Sequence, residues 1–81
     1  MVKQVWFDDI DRMIKHNYPD IGLDKLLGRV RHALWQRYNS GELAYLKLPT
    51  MAGLIARLQK LGLIDQKKRE SLMWDYVIPM S

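Results

Sequence analysis

The chain has 81 residues, 48% of them apolar, which suits one domain with a single small core and leaves too little glycine and proline for a low-complexity chain. It contains no cysteine, which excludes disulfides and thiolate metal sites. The formal charge of +4 permits a polyanionic partner without demanding one.

The longest apolar runs are too short to cross a membrane, and residues 1–7 run at once into Asp8 and Asp9, unlike a secretion signal. The chain therefore reads as a soluble, cytoplasmic domain spanning residues 1–81, with no internal repeat or linker. So small a core gains from oligomerisation, and a homodimer suits any of the functions weighed below.

Helical spacing predicts a first helix from Val2 to Asn17, with Val2, Trp6, Ile10, Met13 and Ile14 on one stripe and Phe7 beside it. Asp8 precedes Arg12 by four and Asp11 precedes Lys15 by four, the favourable order for surface ion pairs. The acidic cluster is accordingly expected to be a solvated helix face. A metal or acid/base site on Asp9 and His16 lacks a third convergent ligand. Tyr18-Pro19 ends the helix, because a residue before proline avoids helical angles.

Asp20 is expected to cap a second helix running to about Asn39. Its stripe is Leu23, Leu26, Leu27, Val30, Ala33, Leu34 and Tyr38. Lys25, Gly28, Arg29, Arg31, His32, Trp35 and Gln36 lie on the opposite face. Trp35 sits off the stripe. The favoured expectation is that a neighbouring segment covers it, since tryptophan is highly buried on average. The alternative is a partner-binding anchor among basic residues, with Arg31 and His32 beside it. Asn39-Ser40-Gly41 stops the helix.

Residues 42–48 are ambiguous between a helical turn and a short strand. A third helix follows from about Pro49 to Leu61, with Met51, Leu54, Ile55, Leu58 and Leu61 on one face. Pro49 suits its first position, and Gly62 suits the residue just past its end, letting Leu63 fold back onto the last turn. Ala52, Gly53 and Ala56 occupy the other face; small residues there point to close packing by another helix or to a close backbone approach, and so to a helix buried on both sides or to a dimer or partner surface. From Leu63 to Ile78 two readings stand. One is a helix capped by Asp65, with Arg69, Leu72, Met73, Tyr76 and Val77 on a face. The other is a β-hairpin turning at residues 67–70. The expected fold class is thus mainly α: a small domain of three to four helices, with or without a C-terminal β-hairpin.

The run from Thr50 to Asp65, read together with Gln66-Lys67-Lys68-Arg69-Glu70, resembles the recognition helix and wing entry of winged helix-turn-helix DNA-binding proteins. Glu42-Leu43-Ala44 is similar to the opening of the helix before it. The resemblance implies that Thr50, Arg57, Gln59 and Lys60 reach phosphates and base edges from the major groove. It also implies that Lys67, Lys68 and Arg69 contact phosphates from a wing, with Arg29 and Arg31 adding backbone contacts.

A second resemblance is one of layout. Small basic four-helix proteins such as the pediocin-type bacteriocin immunity proteins are similar in size and helix order. On that reading the partner is a protein, and Trp35, Arg31 and His32 are the candidate contacts. The chain offers no nucleophile–base pair, metal triad or phosphate-cradling loop, so neither enzymatic activity nor a cofactor is expected. The first expectation is a DNA-binding regulator of phage, plasmid or bacterial type; the alternative is a helical protein-interaction module. A hairpin after Gly62 supports the former, a fourth helix the latter.

Overall fold

The computed structural model describes residues 6–78. They form four helices: α1 (Asp8–Asn17), α2 (Leu23–Asn39), α3 (Met51–Lys60) and α4 (Gln66–Tyr76). No strand occurs among the described residues. α2 is central. It packs against α1 on one side and α3 on the other, and α3 packs against α4.

α1 begins later than its apolar pattern suggests. Trp6 and Phe7 are not helical, and Phe7 is an extended N-cap; residues 2–5 of the expected helix lie outside the described part. Asp8, Asp9 and Asp11 fill the first turn, where negative charge suits the positive end of the helix dipole. The stop is as expected: Tyr18, before Pro19, is extended. α2 starts at Leu23, with Gly22 as N-cap and no side-chain capping bond, so Asp20 does not cap it. Its end falls at Asn39, followed by Gly41 at φ +90°.

α3 is entered through Thr50, whose hydroxyl accepts a 3.2 Å hydrogen bond from the Gly53 N–H. Pro49 precedes the cap and is not the first helical residue. The exit follows expectation. Gly62 takes φ +80°, its N–H donates to the Gln59 carbonyl, and the Leu63 N–H donates to the Leu58 carbonyl. That pair of bonds is a Schellman closure, satisfying carbonyls that the helix end leaves open.

The tail settles as a helix. Asp65 caps it by accepting from the Lys68 N–H at 2.8 Å. Gln66, Lys67, Lys68, Arg69 and Glu70 are good helix formers, and no Gly or Asn is present to make a tight hairpin turn. The hairpin, and with it the wing, is therefore overturned. Residues 42–48 are neither helix nor strand. They form an irregular segment that lays Leu43 and Leu46, half-buried, onto the core and ends at the buried Pro49.

The core gathers Ile10 and Ile14 from α1, five apolar residues from α2, Leu54, Ile55 and Leu58 from α3, and Ile64 and Leu72. Every stripe residue expected of α3 is buried or half-buried. On α2 the stripe holds from Leu23 to Leu34, but Tyr38 is 43% exposed. Among the described residues no buried side-chain polar atom lacks a hydrogen-bond partner.

Candidate interaction surface

The acidic face of α1 is not simply solvated. Asp11 takes a two-point pairing from Arg57 of α3, with Nε to Oδ1 at 3.0 Å and Nη2 to Oδ2. Asp9 accepts from Arg37 at 2.6 Å, and the other arm of that guanidinium reaches Glu42, also at 2.6 Å. Arg37 further lies 4.2 Å over the Phe7 ring. These contacts run between elements, so the carboxylates of α1 join it to α2 and α3, while Arg37 also ties α2 to Glu42 in the segment that follows it. The hydrogen bonds that the Arg57 guanidinium donates to Asp11 raise its pKa, and its partial burial opposes the rise.

The residues expected to read DNA are mostly engaged within the fold. Thr50 caps its own helix. Arg57 is held by Asp11 and sits 5.7 Å from the centre of the Trp6 ring. Gln59 accepts from Arg69 at 2.6 Å and donates to Gln66 at 3.0 Å, which ties α3 to α4. Arg29 donates to Asn17, and the Nε of Arg31 donates to the carbonyl of Pro49. Lys60, Lys67 and Lys68 are exposed. The latter two stand in the first turn of α4, not on a wing.

The small face of α3 is half-covered, and the neighbour that approaches it is Trp6, which lies outside the helices. Ala52, Gly53 and Ala56 are half-buried, and a Cβ on Gly53 would lie 4.0 Å from the Trp6 ring. The N-terminal segment therefore approaches the face on which a recognition helix would present its readers.

The largest aromatic exposure on α2 is Trp35, at 47%. The expectation that a neighbour covers it fails. It stacks on His32, with ring centroids 6.1 Å apart and planes 19° from parallel. Arg31 and Tyr38 lie one turn to either side, close to Trp35 on the helix surface. Tryptophan, tyrosine and arginine together are the composition of interface anchors. Tyr38, expected on the core stripe, belongs to this surface instead. It lies one turn past Leu34, the last buried residue of α2, and one residue before the helix ends at Asn39.

Beside this strip lies an open groove of ≈ 470 Å³ between α1 and α2. Met13 and Ala33 are apolar members of its lining, Gly28 opens it, and Lys25, Arg29 and His32 line it from α2. A Cβ placed on Gly28 would meet nothing within 4 Å. A glycine inside the longest helix was the available signal for this feature.

Among the described residues no cluster of three potential metal ligands forms, and no helix is long and apolar enough to cross a membrane. Comparison with protein-family models, with curated proteins and with solved structures yields no match.

Proposed function

We propose that this protein is a non-enzymatic helical interaction module that binds a protein partner through the outer face of α2, anchored by Trp35. One observation carries the reading: Trp35 stands half exposed on the outer face of the longest helix, stacked on His32 and flanked by Arg31 and the exposed Tyr38. An indole held in one orientation on a rigid helix loses little entropy when a partner covers it. Exposing it to water without such a role is a cost that the fold itself does not recover.

The tail supports the same choice. A capped fourth helix stands where a DNA-binding wing would be, and Arg57, Gln59 and Arg69 are engaged in joining helices. The layout, four helices in a small basic domain, is that of the interaction-module reading.

The test compares the full chain with Trp35→Ala. Trp35→Ala should melt within about 4 °C of the parent, because a surface truncation costs under about 0.5 kcal/mol. Proteins retained from the source cell extract by the parent, in amounts matched to it, should be lost with Trp35→Ala. In parallel, anisotropy with random duplex DNA is followed against salt. Tight binding that weakens steeply with salt and ignores Trp35→Ala would overturn the proposal in favour of nucleic acid.

A further inference from the structure

We infer that the groove between α1 and α2 receives an acidic amphipathic helix of the partner, which crosses α2 over Gly28. The inference rests on the protein-partner reading above and names the chemistry of what docks.

Gly28 is the first observation. It lies in the interior of α2, where glycine is among the least favourable residues. Nothing inside the fold asks for it. The space its Cβ would occupy is open to beyond 4 Å, and its φ is not positive. What a missing Cβ does offer is a close approach of another backbone to the helix axis. Gly28 also shares a face with Trp35, seven residues on, so an occupant crossing there runs on to the indole.

The walls of the groove are the second observation. Its lining combines apolar Met13 and Ala33 with the cations Lys25 and Arg29, and no carboxylate lines it. An occupant that buries apolar side chains there must bring acid to its flanks. Charge complementarity of this kind selects partner and orientation. The third observation is the absence of any strand among the described residues. An extended peptide would find no sheet edge for its backbone groups, whereas a helix satisfies its own.

The probe is a synthetic helical peptide with leucines on one face and glutamates on both flanks, fluorescently labelled and titrated with the full chain. A twin peptide carries lysine for glutamate. The glutamate peptide should bind at least about tenfold more tightly than its twin, since charge complementarity sets partner choice. Gly28→Leu should weaken it by at least about tenfold by filling the crossing point. Gly28→Ala should weaken it less while raising the melting temperature, which shows that loss of binding is not loss of fold. Lys25→Glu with Arg29→Glu should abolish the preference for glutamate over lysine.

Equal binding of the two peptides, no binding of the glutamate peptide, or indifference to Gly28→Leu would overturn the inference. Displacement of the peptide by random duplex DNA, itself insensitive to Gly28→Leu, would assign the basic wall to phosphate instead. If the groove fails in any of these ways while retained proteins still depend on Trp35, the interaction reading survives without it. If they do not depend on Trp35, the reading fails on its own test.

Discussion

At the residue scale, two side chains separate structural from functional roles. Arg57 has the chemistry of a base reader, but its guanidinium is spent on Asp11 in a partly buried, two-point pairing. Arg57→Ala and Asp11→Ala are each expected to destabilise the domain by about 1.5–3 kcal/mol, the range for hydrogen bonds to charged groups. A double-mutant cycle by urea unfolding should show the two losses overlapping; strict additivity would mean that the pair is not coupled. Gly28 is the converse case. Because its Cβ position is empty, Gly28→Ala should raise stability by about 1 kcal/mol, which for a domain of this size is several degrees in melting temperature. A melting temperature unchanged or lowered in Gly28→Ala would mean that the fold itself needs the glycine.

At the element scale, α4 decides between the two architectures, and its start is held by one side chain. Asp65 accepts from the Lys68 N–H, so Asp65→Ala should cost about 1 kcal/mol of stability. The same turn carries Lys67 and Lys68 and no acid, which sets positive charge against the positive end of the helix dipole. Lys67→Glu should therefore stabilise the protein by about 0.3–1 kcal/mol at low salt, with the gain shrinking as salt is added. Both changes are read by circular dichroism melting. A loss on Lys67→Glu would show that the lysine makes a contact worth more than the dipole. α3 is covered on more than its apolar face. Its apolar stripe was legible from spacing alone, but the opposite face, with Ala52, Gly53 and Ala56, is also contacted.

At the scale of the whole molecule, α2 is the axis on which α1 and α3 are assembled, and α4 is held through α3. The core has few layers, so each buried leucine carries a large share of the stability. Leu58→Ala should cost about 2–5 kcal/mol, enough to leave a domain this small largely unfolded at 37 °C. Retention of a cooperative melt above that temperature would show that a second copy or a partner supplies stability beyond this core. The free surface is uneven. Trp35 and Tyr38 stand exposed on α2, and Trp74, at 60% exposure, stands on α4.

What the chain determined by itself was local. The stripe and the closing turn of α3, the stop before Pro19, the end of α2 at Asn39 and the Asp65 cap each rest on one short stretch and on spacing, backbone angles or a capping oxygen. Those causes are present in the sequence wherever the chain goes. The four-helix architecture was legible as one of two outcomes. Choosing between helix and hairpin for residues 63–78 needed their packing against α3. The partners of Asp9 and Asp11 were not legible at all, the approach of Trp6 to the small face of α3 was legible only as an unnamed close contact, and the exposure of Trp35 stood only as the less favoured alternative. Each depends on residues far away in the sequence brought together in space, 46 positions apart for Arg57 and Asp11. Periodicity says which face of a helix is apolar; only the tertiary structure decides how far its neighbours reach around it, and so which large side chains are left for a partner.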